Sequence, residues 1–453
     1  MVADIERRAA QPAGLWGHPP GLAYLAFTEA WERFSYYGMS TLLVLYMANQ
    51  LLLPGNVEAV VGFQSFRAMV EGFTGPLSPT ALASQVYGLY AGLVYFTPIL
   101  GGMIADRWIG QRAAVVAGAL LMCVGHAAMA FDESFLLALA LLIAGSGLLK
   151  GNISAQVGAL YPRDEEGMRS RGFTIFSLAI NVGAVAGPLL CGYLGQVYGW
   201  HYGFTAAALF MGVGLAVYLS GYRHLPARVE RGRGQAAKLG GAEWRAVAVL
   251  LLVMAATCFQ SVVYMQGLNV ALLWTERMID LEVAGFSIPV PWFSSLDPAA
   301  SVLCVPVLFW IWRRQAVGGR DPSDLSKIAT GAAICVVTNL ALVAATVLAG
   351  DGKANVGWAL FYFIGQGVSF VYYWPTLLAL VSRCAPAAVN GTMMGITYMT
   401  LFIANIIAGS IGTRFETMDG AAFWMLHAAI AAAGAVSALV LARLLPRELS
   451  PAR

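Results

Sequence analysis

The sequence predicts an all-α integral membrane protein with twelve transmembrane helices arranged as two six-helix bundles. Three observations carry this expectation. Of 453 residues, 59% are hydrophobic and only 11% charged, whereas about a quarter of an ordinary soluble domain is charged. A bilayer-crossing helix needs about 20 predominantly apolar residues, and twelve such stretches follow one another. A basic, glycine-containing segment separates the first six from the last six, with Arg223, Arg228, Arg231, Arg233 and Lys238 between Gly221 and Gly241.

In chain order, the first six spans are expected over 21–48, 82–105, 113–131, 134–158, 172–195 and 202–221, which places the first bundle in 1–221 and a cytoplasmic linker in 222–243. The second bundle, 244–453, holds spans over 245–274, 298–312, 328–349, 355–381, 391–412 and 421–445. Its second span, the eighth of the chain, is short. Two outward connections, 49–81 with Pro54, Pro76 and Pro79, and 275–297 with Pro289 and Pro291, are long enough for short helices or a cap over the exit. Gly145, Gly147, Gly183 and Gly187 fall inside spans, where small residues let helices approach closely.

Charge sets the orientation. With the N-terminus in the cytoplasm, only Arg67, Arg277, Lys353 and Arg414 of the 27 basic residues fall outside, and Arg33 and Lys150 fall within the membrane. The positive-inside rule favours that arrangement, with both termini cytoplasmic, and the chain is expected to be multi-pass in the cell inner (plasma) membrane. The first twenty residues contain Arg7 and Arg8 but no short apolar core with a small-residue cleavage site, so no removable signal peptide is expected. Two six-span halves joined by a basic linker is the layout of the major facilitator superfamily, whose substrates bind near the midplane.

Several function classes are disfavoured. The six cysteines are scattered without CxxC spacing, which argues against structural disulfides and a metal site. No nucleophile–base pair, metal-ligand cluster or nucleotide loop is evident, so the chain is not expected to be an enzyme or to need a cofactor. A lone histidine in an apolar span, His126, reads as a hydrogen-bonded packing residue. No nucleic-acid partner is expected, and the chain is expected to be a monomer in its lipid bilayer.

The chemistry resides in charges at bilayer depth, which mark a functional site by default because they are expensive there. Glu29, Glu32 and Arg33 share a helix face in the first span, since positions three and four apart are neighbours. One carboxylate can neutralise Arg33 and the other can take a proton. Lys150 lies in the fourth span. At 1.5 Å per residue, Arg33 and Lys150 both sit about 16–20 Å from the cytoplasmic side, near the middle of a core about 30 Å thick. The four charges sum to zero, and protonating one glutamate leaves a net positive pocket suited to a substrate carboxylate.

The run Glu29-Ala-Trp-Glu32-Arg33-Phe34-Ser35-Tyr36-Tyr37-Gly38 resembles the ExxERFxYYG signature of the proton-dependent oligopeptide transporter (POT/PTR) family, a branch of the major facilitator superfamily. Gly101 to Arg107 with Gly110 and Arg112, Lys150 to Ser154, and Phe173 to Gly183 resemble further family motifs, more strongly in the first half than in the second. The resemblance implies a proton-coupled symporter that imports di- and tripeptides by alternating access. It implies proton coupling by Glu29, Glu32 and Arg33, with Lys150 as charge partner and carboxylate anchor. Tyr37, Tyr95 and Asn181 match pocket-lining positions. Asp106 and Arg107 read as a structural ion-pair and helix-end network at the cytoplasmic gate.

The second half departs from the family pattern. Met265 and Phe370 stand where glutamates are usual, Thr397 replaces a pocket tryptophan, Ser40 replaces an arginine, and Asp297 stands where Asn is common. Gln366 is the alternative occupant of the Phe370 position. Substrate binding is then expected to lean on Asp297, Gln266, Asn269, Phe370, Tyr372, Tyr373 and Trp374. These departures keep open a carrier for another small organic anion or a modified peptide, and a peptide-binding receptor with little transport.

Overall fold

The computed structural model describes residues 17–162, 165–226, 239–318 and 322–444. Arg7, Arg8, Arg228, Arg231, Arg233 and Lys238 lie outside them. The described residues are almost entirely helical: α1 (Pro20–Tyr46), α2 (Phe63–Thr74), α3 (Pro79–Ile104), α4 (Gly110–Ala128), α5 (Phe135–Ala159), α6 (Glu166–Val197) and α7 (Trp200–Ser220) precede the linker. After it come α8 (Gly241–Tyr264), α9 (Val270–Met278), α10 (Leu296–Val317), α11 (Asp324–Ala349), α12 (Val356–Cys384), α13 (Asn390–Gly412) and α14 (Gly420–Leu444). Among the described residues, ten continuous helical stretches are long and apolar enough to cross a bilayer. One of them, Pro79–Ala128, runs 50 residues through a π-helical turn at Ala105–Ile109. The charged helix α1 stands in addition to these.

Two corrections concern span ends. The span expected as short, 298–312, is a full helix of 22 residues, α10. It continues past Trp312 because long cationic side chains can lie along aromatic surface while their heads reach water. Arg314 sits 3.9 Å from the Trp310 ring centre and Lys327 4.9 Å from that of Trp312. The span expected as continuous over 245–274 is broken: α8 ends at Tyr264, a 3-10 turn covers Met265–Leu268, and Asn269 leaves helical geometry at φ −117° and ψ −114°. The Asn269 amide donates to Ser84 Oγ at 2.9 Å, which fixes the break to α3.

The outward connections do carry structure. Residues 49–81 contain α2, and 275–297 contain a two-residue hairpin, β1 (Glu282–Val283) against β2 (Phe286–Ser287), and a 3-10 turn at Val290–Ser295. The hairpin turns through Ala284 (φ 51°) and Gly285 (φ 80°), the positive-φ pair that a tight β-turn requires.

The chain divides into two compact units. The first comprises the described residues of Met1–Met39 and Thr97–Arg231, and the second those of Ser40–Phe96 and Gly232–Arg453. The division passes through α1 and α3, so the C-terminal part of α1 and the N-terminal part of α3 belong with the second half of the chain. Hydrogen bonds inside the second unit show why. Thr41 donates to the Pro291 carbonyl at 3.3 Å, Asn49 to Glu276 at 2.9 Å, and Ser84 to the Gly409 carbonyl at 3.2 Å. At the helix ends near α9, Arg277 bonds both Thr80 and Glu416 at 2.9 Å, and Ser78 donates to Glu416 at 2.6 Å.

Between apolar helices in lipid the hydrophobic effect supplies little, so close packing and interhelical hydrogen bonds decide contacts. In the first unit α6 packs on α1 through Gly183, where a Cβ would stand 2.1 Å from the Ala30 carbonyl oxygen. In the second unit Gly367 of α12 allows the same approach to α10: a Cβ there would stand 2.2 Å from the Asp297 carbonyl oxygen. A neutral network links α8, α11 and α12. Gln260 donates to Ser369 Oγ at 2.8 Å, Ser369 to the Gly331 carbonyl at 2.9 Å, and Gln366 to Thr338 Oγ1 at 3.0 Å.

Candidate functional site

In the first unit α1 brings Glu29, Glu32 and Arg33 together as the helical spacing requires. Arg33 Nε lies 2.9 Å from Glu29 Oε1 and 2.8 Å from Glu32 Oε2. The Glu29 contact is a directed hydrogen bond. The Glu32 contact is an ion pair without hydrogen-bond alignment, and among the described residues neither Glu32 oxygen nor Glu29 Oε2 has a hydrogen-bond partner. Glu32 is completely buried and Glu29 nearly so. One guanidinium therefore faces two carboxylates, and each carboxylate keeps an oxygen able to take a proton. The close approach at Gly183 presses α6 against this segment: its Cβ position also lies 2.9 Å from Arg33 Cβ.

Lys150 of α5 belongs to the same group. Its Nζ sits 3.9 Å from the centre of the Tyr36 ring, and Arg33 Cζ lies 5.9 Å from that same centre. A cation over an aromatic face within about 6 Å is attracted by the ring quadrupole. Lys150 also lies within electrostatic reach of Arg33, Glu32 and Glu29. Sequence reasoning gave Tyr36 no role. Its position three residues after Arg33, on the same helix face, is the signal that could have found it.

Tyr37 is half-buried, with its ring edge-on to Tyr36 at 5.1 Å. Asn181 of α6 donates to the Ser177 carbonyl of its own helix at 2.9 Å, which leaves its amide oxygen as an acceptor. At the turn between α3 and α4, Asp106 accepts from Gln111 at 2.9 Å, while Arg107 is exposed. His126 is buried, and among the described residues its two ring nitrogens have no hydrogen-bond partner. The expected hydrogen bond is thus absent there, and the ring is a packing residue alone.

The second unit holds the remaining expected residues, and several are corrected. Gln266 was expected to line the pocket but lies fully buried: its amide donates to the Ala408 carbonyl at 3.0 Å and meets His427 Nε2 at 3.1 Å. His427 Nδ1 faces the Phe423 carbonyl at 2.8 Å, so a ring protonated on Nδ1 accepts from Gln266. Gln266 therefore ties the turn after α8 to α13 and α14. Asn269, fixed to Ser84, and the buried Tyr373 and Trp374 are likewise core residues. Gln366 is locked by Thr338 and Cys335, and does not take the Phe370 position.

Tyr95 and Phe370 pack, partly buried, against the core formed by α8, α11 and α12. Phe370 stacks on Tyr264 at 5.2 Å and meets Tyr373 edge-on at 5.9 Å. Asp297 stands in the first turn of α10, half-buried, and Tyr264 donates to its Oδ2 at 2.6 Å. Tyr264 is the second participant that the sequence did not single out.

Comparison with known proteins places this arrangement. The model of the POT family matches residues 112–234 and 233–425. An uncharacterised transporter of Bacillus subtilis is 29% identical over 89% of both chains. A di-/tripeptide transporter of Lactococcus lactis is 27% identical over 91% of this chain and 92% of its own. The crystal structure of a peptide transporter POT in complex with sulfate superposes with a TM-score of 0.84 at 27% identity, over 98% of this chain and 99% of that one. With a buried Glu–Glu–Arg group on its first helix, a lysine beside it and a family match across most of its length, this chain belongs to the POT family of transporters.

Proposed function

We propose that this POT-family protein is a proton-coupled symporter that imports di- and tripeptides by alternating access. The observation that carries the reading is the single guanidinium of Arg33 lying within 2.9 Å of both Glu29 and Glu32, in a helix that would otherwise be apolar. Unpaired charge at membrane depth is costly, so the group is stable when its charges balance. A proton on either glutamate upsets that balance and leaves Arg33 and Lys150 in excess. The substrate carboxylate restores it, and proton entry and substrate binding then favour one another. Release of both to the cytoplasm re-forms the paired state. The peptide-transporter names of the relatives support the cargo assignment.

In this reading Lys150 anchors the substrate carboxylate, and Tyr37, Asn181, Tyr95 and Asp297 contact the peptide. Asp106 and Arg107 act at the cytoplasmic gate. The chain is read as a monomer of twelve spans in the inner membrane with both termini cytoplasmic, in six-span bundles over 1–221 and 244–453. The aromatic pair Phe370 and Tyr264 favours a narrower or modified peptide range over a broad one, because it presents ring faces where a carboxylate is usual in the family.

Uptake of radiolabelled dialanine into liposomes holding the purified protein tests this, with an inward proton gradient and an uncoupler control. Gradient-driven uptake that vanishes with the uncoupler and in Glu32→Gln is expected. Absence of dialanine uptake by the wild type, alongside carriage of other small anions, would overturn the peptide assignment.

A further inference from the structure

The four charges Glu29, Glu32, Arg33 and Lys150 of the first unit balance among themselves, whereas in the second unit Asp297 has no cation beside it among the described residues. Asp297 is half-buried in the first turn of α10, within a stretch long and apolar enough to cross a bilayer. The titratable groups that act on it from the packed elements are Tyr264 from α8, Cys335 from α11, and Tyr362 and Tyr373 from α12. No lysine, arginine or histidine among the described residues does so. A carboxylate withdrawn from water without a cation beside it is unfavourable when ionised, so its surroundings should show how it is neutralised.

The hydrogen-bond geometry supplies an answer. Tyr264 donates to Oδ2 at 2.6 Å. Ser301 lies 3.4 Å from Oδ1, but its one hydroxyl hydrogen has a nearer acceptor, the Gly367 carbonyl at 2.9 Å. With that hydrogen directed to Gly367, the lone pairs of Ser301 face Oδ1, because a hydroxyl has one donor and two acceptor positions. A carboxyl proton on Oδ1 would find an acceptor there, while Oδ2 keeps its donor. The site therefore has a hydrogen-bond partner for each oxygen of a protonated acid.

We infer that Asp297 is a second proton-binding site, separate from the Glu29, Glu32 and Arg33 group, and that it takes up and releases a proton of its own in each transport cycle. This goes beyond a substrate contact at Asp297 and rests on the proton-coupled reading above. The carboxylate gains a proton from the outer solution and loses it to the cytoplasm, and no other reactant is needed.

The coupling ratio tests this directly. Dialanine is a net-neutral zwitterion, so each coupled proton carries the whole transported charge. In liposomes at equal pH on both sides, the voltage that stops net flux against a tenfold dialanine gradient is about 59 mV for one proton and about 30 mV for two. The wild type is expected near the lower value and Asp297→Asn near the higher, with Asp297→Glu returning to the lower. A wild-type value near the higher figure overturns the inference, as does an unchanged lower value in Asp297→Asn. Should Asp297→Asn carry no net flux, retained dialanine counterflow, which needs no net proton movement, upholds the inference. Loss of counterflow in a variant that melts like the wild type overturns it. A wild type indifferent to the proton gradient would instead break the symport reading itself.

Discussion

Four charged side chains, Glu29, Glu32, Arg33 and Lys150, are gathered in the first unit beside Tyr36, whereas the second unit keeps ion pairs such as Arg277–Glu416 and Arg383–Asp324 at partly exposed positions and ties its buried helix faces through neutral groups. There Gln260, Gln266, Asn269 and Gln366 bond hydroxyls, carbonyls and a histidine, and one acid, Asp297, stands beside tyrosine and serine. The contrast separates two uses of polarity in a membrane. Neutral amides fix a helix pair in place, with a modest net gain per bond. Ionised groups held in a balanced set can be unbalanced by one proton, which makes them suited to switching.

The largest expected effect breaks the charged group. Arg33→Leu leaves two carboxylates facing each other, and removing one partner of a buried ion pair costs about 3–5 kcal/mol. Thermal unfolding in detergent should register that loss together with the disappearance of gradient-driven uptake. Arg33→Leu combined with Glu32→Gln should recover part of the stability without recovering coupling. Full recovery of coupling in the double variant would show that the charges serve the fold alone.

Helix contacts come next. Gly183→Ala and Gly367→Ala each force a methyl group against backbone, and such overpacking costs about 1–3 kcal/mol. Both should lower the melting temperature, and Gly183→Ala should also impair coupling because the crowded segment carries Arg33. Uptake by Gly183→Ala with wild-type pH dependence would disconnect that packing from the charges.

Gln266→Leu tests the neutral network. It takes the donor from both the Ala408 carbonyl and His427, and a buried polar group left unsatisfied costs about 1–3 kcal/mol. A lower melting temperature with an unchanged KM for dialanine is expected. A raised KM with unchanged melting would return Gln266 to the binding pocket.

The smallest effect belongs to the partly exposed cluster of Ser78, Thr80, Arg277 and Glu416. Burial pushes the Glu416 carboxyl up, but hydrogen bonds from Ser78, Thr80 and Arg277 outweigh it and hold the group below its ordinary value of 4.5. Its contribution is therefore complete above that ordinary value and is lost as pH falls through the lower folded one. Partial exposure limits the contribution to about 1 kcal/mol or less. Glu416→Gln should flatten the acid limb of a melting-temperature profile slightly, and a variant that melts with the wild-type profile at low pH would rule the contribution out.

The first unit was far more legible in the sequence than the second. Glu29, Glu32 and Arg33 lie within one helical turn or so of each other, and charge in an apolar stretch stands out without any tertiary knowledge. Lys150 was found by the same contrast, and counting residues from the cytoplasmic side placed it at the depth of Arg33. In the second unit the signal was ambiguous, because an amide in an apolar span reads equally as pocket lining and as a core tie. Gln266 and Gln366 are core ties because His427, Ala408, Thr338 and Cys335 happen to face them, and those partners are distant in the chain.

Sequence alone determined the membrane class, the approximate place of most spans, and the charged triplet. These depend on composition and helical periodicity, which are local. Tertiary structure decided that Tyr36 bridges Arg33 and Lys150, that the chain breaks at Asn269, that the C-terminal part of α1 and the N-terminal part of α3 belong with the second unit, and that Asp297 meets Tyr264 and Ser301 but no cation among the described residues. Each depends on which helix faces meet, and in lipid that is settled by steric fit and by hydrogen bonds between residues far apart in the chain, which no local pattern encodes.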